Sequence, residues 1–565
     1  NLYLEFRKPS FYPLNYGDDE RAPRFHRFPS GFNSRMQVAT NCNILFPPAF
    51  PAPLGPRHSN AAPTPCNILP SPTFPALLVR THQPMSTRTH SRRSFLTTTA
   101  GLAASAFTGP NLLLRGQEAT AKRLNLVQIG ANGKGLADTG MVTLNHNIIA
   151  MVDVDTKRLD EAAKKREKHH LDSSQPAPPA PKLYQDFRKM FDEMSNQIDG
   201  VIVSTPDHTH YLAAMHAIKH GKHVCVQKPL CNYISEVRDL HRAAKDAKIV
   251  TQMGNQGRTM EGQRLAKEWI EQGAIGTLKE IRLWTNRPIW PQGPIKKKLV
   301  ECPANLDWDL WLSCEPSEPY FEFDLDPVTA KKKQRSPGPA PFNWRGWWQF
   351  GSGALGDMGC HIMDSTFSIL GQLIPEKIEA ESGPITDLNA PMWSKLVYHM
   401  PAGKHPALTV TWHDGEKDGA PNKPERHPDI PEDTFKKATS GMMFIGTDGV
   451  IFEGDAYCKS PLIYPLEKYK AVREDMKSGK IKQTETRSVM PDNPQGEWAH
   501  HIVNGGLPSS NFDYSAPLTE FVLLGNLAIR AQQTVQWDKS AMKVTNVEAP
   551  NKFITRPSYR DGWKA

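Results

Sequence analysis

The feature that most constrains this chain is an apolar run that ends in a glycine-rich turn, "LNLVQIGANGKG" at 124–135. The run suits a buried strand, and the turn places glycines at Gly130, Gly133 and Gly135. Asn132 stands where a second glycine is usual; Asn tolerates a left-handed backbone better than most residues, so the turn is expected to close. A second run, "NIIAMVDVD" (147–155), ends in acid, with Asp153 lying 23 residues after Gly130. Further runs at 198–206, 222–229 and 248–254 each follow an amphipathic stretch such as "HYLAAMHAIKHG". Short buried strands alternating with helices predict a parallel sheet built from βαβ crossovers. A strand, a glycine turn, a helix and an answering acid together point to a dinucleotide. Asp153 is expected to accept the adenosine ribose hydroxyls and to repel a 2′-phosphate, which favours NAD. Lys157 and Arg158 beside it pull toward NADP.

In open α/β sheets the ligand lies outside the carboxyl ends of the strands. The chain puts Thr205 and Pro206 at one such end, and Gln227 and Lys228 at another. The expected cofactor set is therefore Gly130, Ala131, Asn132, Gly133, Lys134, Gly135, Asp153, Thr205, Pro206, His210, Gln227 and Lys228. A lysine in that crevice can serve in acid–base work or donate to a substrate hydroxyl. The histidines of "PDHTHYLAAMHAIKHGKH" (206–223) invite a metal reading, but no carboxylate or cysteine partner stands near them, so no metal is expected. Among them His210 is singled out because it starts a helix beside the crevice.

The chain has 565 residues, enough for two domains and additional segments. The first 84 residues hold 15 of the 49 prolines and no helix or strand period, so they read as a disordered leader or a mis-extended reading frame. From Met85, Arg92 and Arg93 precede a short Ala/Gly-rich apolar run to Phe107, and Ala119–Ala121 offers a small-residue cleavage site. That order predicts a twin-arginine export signal over 85–121 and a periplasmic protein. The apolar run is too short to span a membrane. The net charge of +9 is inflated by the leader and by runs such as "KKKQR" (331–335). No aromatic residues interleave with those runs, which argues against nucleic acid. Eight cysteines show no CxxC pairing, so neither a zinc site nor a disulfide framework is indicated.

From about 253 the pattern changes. "TLKEIRLWTNRP", "SKLVYHMP", "ALTVTWHDG" and "SGMMFIGTDGVIFEG" are strand-like and follow one another without helices, which predicts an antiparallel sheet with one face free for partners. A long insert at 288–345 carries Trp290, Trp308, Trp311, Trp344 and Arg345, suited either to stacking on sugar rings or to core packing. "LTEFVLLGNLAIRAQQ" (518–533) reads as an amphipathic packing helix. "GDMGCHIMD" (356–364) spaces Asp357, His361 and Asp364 by four and three, which places all three on one face of a helix. Cys360 in the same stretch reads as packing.

"GANGKG", "STPDHTH", "GKHVCVQKPL" and "GDMGCHIMD", in that order, resemble the glucose-fructose oxidoreductase / inositol dehydrogenase / MocA (Gfo/Idh/MocA) family over residues 122–565. "LDWDLWL", "NWRGWWQFGSGALGDMG" and the closing "YRDGW" further resemble its exported members. The resemblance implies an NAD(P)-binding Rossmann domain (122–252) followed by an α+β domain with a large, mainly antiparallel open sheet (253–565). Lys228 matches the lysine of the family's Glu-Lys-Pro motif, with Gln227 in place of the glutamate, and Asp357 and His361 match its Asp-x-x-x-His pair. The implied activity is hydride transfer between nicotinamide and a sugar or polyol carbon. His361 would act as the base, Asp357 would orient it, and Lys228 would steady the developing alkoxide. Arg345 and Asp364 are added as candidate substrate ligands. Export away from the nicotinamide pool implies a tightly held cofactor. Two rivals stand beside this reading: an NAD-dependent glycosidase-like enzyme working by transient oxidation and elimination, and a non-catalytic sugar-binding module. Family habit implies a homodimer or homotetramer.

Overall fold

The computed structural model describes residues 122–173, 178–326, 329–330 and 336–564. The leader and the export signal lie outside the described residues. The first domain opens with β1 (Asn125–Ile129), the turn and α1 (Lys134–Gly140), then β2 (Asn147–Val152), α2 (Thr156–Asp172), β3 (Lys182–Tyr184) and α3 (Phe187–Met194). It continues with β4 (Gly200–Val203), α4 (Asp207–Lys219), β5 (His223–Val226), α5 (Ile234–Ala247), β6 (Thr251–Met253) and α6 (Glu261–Glu271). Its sheet runs β3-β2-β1-β4-β5-β6, and every pair is parallel. Five of these strands are the runs read from sequence. The sixth, β3, is three residues long and largely exposed, so it carries no apolar signature. The order reverses between β1 and β4, and Gly130 and Thr205 follow their carboxyl ends, the place where open α/β sheets take their ligands.

The second domain holds β7 (Leu278–Thr285), β8 (Lys296–Leu299), α7 (Trp308–Leu312), β9 (Phe321–Asp324), α8 (Gly353–Ile369), β10 (Lys377–Ser382), β11 (Trp393–Met400), β12 (Leu408–Lys417) and β13 (Ala420–Pro421). After α9 (Glu432–Lys437) come β14 (Ser440–Gly446), β15 (Val450–Glu453), β16 (Leu462–Tyr464), α10 (Leu466–Lys477), α11 (Pro494–Asn504), α12 (Phe512–Ala531), β17 (Val535–Asp538) and β18 (Lys543–Val544). The main sheet runs β16-β15-β14-β7-β12-β11-β10-β17-β18. It is antiparallel except for β7 beside β12. That parallel pair needs a long crossover, and the insert, α8 and the β10–β11 hairpin supply it.

Helix α8 is buried along almost its whole length, and it packs on α12, which is buried on nearly every side rather than amphipathic. A Cβ at Gly359 would lie 2.6 Å from Val522 Cγ1, so glycine there sets how closely the two helices approach. The insert has an aromatic core of its own. Trp308 stacks on Trp311 with ring centroids 4.7 Å apart, and Trp311 packs edge-on against Phe350. Those ring faces are consumed by packing, which settles the insert's alternatives for Trp308 and Trp311 in favour of core.

Candidate active site

The turn after β1 is left-handed at Gly130 (φ 82) and Gly133 (φ 60), and Asn132 is not. This corrects the expectation for Asn132. Its Oδ1 accepts from Gly133 N at 2.7 Å and its Nδ2 donates to Arg158 O at 3.1 Å, so the side chain braces the turn without forming its corner. A Cβ at Gly135 would sit 1.8 Å from Gly130 O, so glycine alone lets α1 start this close to the strand. Asp153 closes the turn from the β2 side. Its Oδ2 accepts from Ala131 N at 3.0 Å and its Oδ1 from Asp155 N at 3.2 Å, while burial pushes its carboxyl up. Each oxygen has a second lone pair, so ribose hydroxyls can still donate to it. Thr205 Oγ1 and Gln227 Oε1, at the ends of β4 and β5, are buried with no hydrogen-bond partner among the described residues. Left-handed glycines, an acid at the end of β2 and these unpartnered polar atoms fit a dinucleotide.

Two members of the expected cofactor set face elsewhere. The Lys134 ammonium is drawn into an ion pair with buried Asp138. His210 is fully buried, with Nδ1 at 2.8 Å from Pro229 O and Nε2 at 2.8 Å from Thr205 O. Burial pushes its pKa down to about 4 against those two carbonyls. It ties the β4 exit to the β5 exit rather than facing the crevice.

Lys228 lies beyond β5 and reaches the start of α8. Its Nζ donates to Asp357 O at 2.7 Å and to Asp357 Oδ1 at 2.9 Å. Arg345 Nε donates to the same Oδ1 at 3.1 Å, and its guanidinium lies 4.3 Å from the Trp344 ring centroid and 4.4 Å from that of Phe342. The two cations hold the Asp357 carboxyl far below the usual range, against its burial. His361 is one turn further along α8 and only 5% exposed. Its Nδ1 is buried and unpartnered among the described residues, and its ring meets Tyr457 edge-to-face at 5.0 Å. Burial, and then the charge of Lys228, hold its pKa well below 6.5, so the ring is kept neutral. The expected role of Asp357 is corrected here, because its hydrogen bonds go to Lys228 and Arg345 and none goes to His361. Arg345 is brought to the site as a partner of Asp357. Asp364, expected at the substrate, is 0% exposed. Its Oδ1 accepts from Tyr514 OH at 2.5 Å, and its Oδ2 from Asn255 Nδ2 at 2.8 Å and Gln263 Nε2 at 3.2 Å. Its hydrogen bonds all go to the protein interior.

Residues 124–255 match the family model described as an oxidoreductase family with an NAD-binding Rossmann fold, and 277–418 match that family's C-terminal alpha/beta domain. The two matched segments are those of the Gfo/Idh/MocA oxidoreductases, an NAD-binding domain and the C-terminal domain that follows it. The levoglucosan dehydrogenase of Pseudarthrobacter phenanthrenivorans is 28% identical over 188 residues, 33% of this chain and 36% of that protein. The 2,7-anhydro-N-acetylneuraminate hydratase of Escherichia coli is 31% identical over 96 residues, 17% of this chain and 25% of that protein. The chain thus spans about a third or less of the length of these curated relatives. A WlbA dehydrogenase of Chromobacterium violaceum, solved with NADH and UDP-GlcNAcA, shares the fold with a TM-score of 0.51 and 13% identity, over 74% of this chain and 97% of that one.

Three further residues join this site, and none of them is among those that the motifs single out. Asp207, in the first turn of α4, is buried and accepts from Ser352 Oγ at 2.6 Å. Burial pushes its pKa up to about 7, within the fields of Lys228, Asp357 and Arg345. Tyr457 comes from the loop after β15. Asp138 lies under the glycine turn. Asp207 sits within the quoted "STPDHTH", so a carboxylate in a strand-end motif was the available signal; Tyr457 and Asp138 had none.

Proposed function

We propose that the chain is an NAD-dependent oxidoreductase that transfers hydride to and from a sugar or polyol carbon. The observation that carries this reading is the convergence of Lys228 from the dinucleotide domain with Asp357 and neutral His361 from α8. When bound, nicotinamide supplies the two-electron chemistry. His361 takes the hydroxyl proton of the substrate on its imidazole. Lys228, held by Asp357, donates to the same oxygen and stabilises its developing negative charge. Arg345 balances Asp357 so that the carboxylate does not neutralise Lys228 completely. Gly130, Gly133, Gly135 and Asp153 hold the dinucleotide, and Asp153 gives the preference for NAD. The levoglucosan dehydrogenase relative supports a carbohydrate substrate. The pair Arg92–Arg93 supports export to the periplasm, where a tightly held cofactor is recycled within each cycle. The half-exposed face of β11 and β12 supports assembly as a homodimer or homotetramer.

A second reading is favoured by the relative named a hydratase, a name that describes no net redox change. In it hydride would pass from a ring carbinol carbon to bound NAD and later return, while the same residues would handle the protons as the aglycone leaves by elimination and water adds in its place. The test is to denature the purified protein and identify released NAD(H), then to supply free sugars and aryl glycosides. Net reduction of the bound cofactor by a free sugar supports the first reading. Aglycone release without net reduction selects the second. Absence of both, with sugar still bound, leaves a sugar-binding module.

A further inference from the structure

Asp138 is 1% exposed and collects four donors from four segments of the chain. Lys134 reaches it from the turn end of α1. Ser204 Oγ donates to Oδ2 at 2.7 Å from the β4 exit, immediately before Thr205. Gln227 Nε2 donates to Oδ2 at 2.9 Å from the β5 exit, immediately before Lys228. Gln495 Nε2 donates to Oδ1 at 2.7 Å from α11, in the second domain. Every partner is a donor, so Asp138 is held as an acceptor-only carboxylate and the Gln227 amide must present its NH2 to it. Gln227 fills the space that glycine leaves at 254, since a Cβ there would fall 2.2 Å from its Nε2.

We propose that Asp138 is the positioning residue of the dinucleotide site: one buried negative charge that fixes the glycine turn, the β4 exit and the strand end bearing Lys228 in a single register. Position 227 must then be neutral, because the charge of this cluster is held at 138. A carboxylate at 227 would face Asp138 at hydrogen-bond distance, and the two oxygens could meet only by sharing a proton. Besides Lys134, the titratable group facing Asp138 is Cys225 of β5, whose thiol is pushed up by burial and by Asp138 itself.

The test is a charge relocation, read by NADH fluorescence titration and therefore independent of any sugar substrate. Gln227→Glu is expected to weaken NADH binding by about tenfold or more at about pH 8, the scale of a lost hydrogen bond to a charged group, and to recover most of it at about pH 6, where the pair regains a proton. The double variant Asp138→Asn/Gln227→Glu restores one charge to the cluster and is expected to bind NADH within about threefold of wild type at both pH values. Melting temperatures without NADH separate misfolding from misplacement. Wild-type affinity for Gln227→Glu at both pH values, or a double variant no better than either single one, overturns the proposal.

Discussion

The two carboxylates of helix α8 differ in almost nothing that sequence can show. Asp357 and Asp364 lie seven residues apart on one face of the helix, Asp364 fully buried and Asp357 nearly so. At the front of the helix Asp357 meets two cations, Lys228 and Arg345, and its carboxyl is pushed down. At the rear, among the described residues, Asp364 hydrogen-bonds only uncharged donors, Tyr514, Asn255 and Gln263, and burial pushes its carboxyl up against the fields of Arg258 and Arg264, neither of which bonds it. Direct bonding to a cation, more than the residue type, sets one apart as a participant in chemistry and leaves the other a structural acceptor. His361 stands between them and inherits its neutrality from burial and from Lys228.

The largest test of this contrast removes the chemistry from the front half. Lys228→Ala and His361→Ala are each expected to lower kcat by about 10²–10⁴, the usual worth of a positioned proton-transfer group, on whichever sugar the wild type turns over. NADH affinity is expected to stay within about threefold, since the glycine turn and Asp153 are untouched. Near-wild-type turnover in both variants would dissolve the distinction between front and rear.

Isosteric replacement compares the carboxylates directly. Asp364→Asn should cost about 1–3 kcal/mol of stability by disturbing buried hydrogen bonds, with kcat nearly unchanged. Asp357→Asn should lower kcat by about tenfold or more, because Lys228 and Arg345 are left facing each other without the anion between them. If Asp364→Asn is the more damaging to kcat, the assignment is reversed.

Acid gives the same comparison a sign. The folded-state pKa of Asp357 is depressed, so its contribution to stability is full above its unfolded value of 3.8 and lost as pH falls through the lower folded value. That of Asp364 is raised, so its contribution is full below 3.8 and lost as pH rises through the folded value. His361, also depressed, removes stability as pH drops below 6.5. Unfolding measured against pH should therefore lose its steepest acid limb in Asp357→Asn and gain relative stability toward neutral pH in Asp364→Asn.

Much of the fold was legible because the signals are local. Apolar runs, glycine turns and helix periods report each strand and helix from within a few residues, and the order of motifs follows. The short strand β3 escaped because it is exposed and pairs on one side only. In the site, Lys228, Asp357 and His361 stood out by motif, but their division of labour did not. Asp364 has the same spacing to His361 as a ligand would, and only Asn255, Gln263 and Tyr514, each more than a hundred residues away along the chain, show that it points inward. Trp308 and Trp311 were ambiguous for a similar reason, since their partner Phe350 lies some forty residues on, across the insert.

The smallest effect lies where the two halves of α8 meet. Gln263 Nε2 contacts both Asp364 Oδ2 at 3.2 Å and Tyr457 O at 3.4 Å, and the Tyr457 ring rests on His361. The rear carboxylate thus reaches the base indirectly, by helping to hold the loop that presents Tyr457. Edge-to-face ring pairs are worth about 0.5–1.5 kcal/mol, so Tyr457→Ala should lower kcat/KM about 3–10-fold. Tyr457→Phe keeps the ring and should keep most of that. Gln263→Leu should move in the same direction as Tyr457→Ala but by less, because Asp455 Oδ1 still holds the Tyr457 backbone N at 2.6 Å. A Tyr457→Phe variant as impaired as Tyr457→Ala would mean that the hydroxyl, not the ring, carries the contact, and the rear half would then share in the chemistry directly.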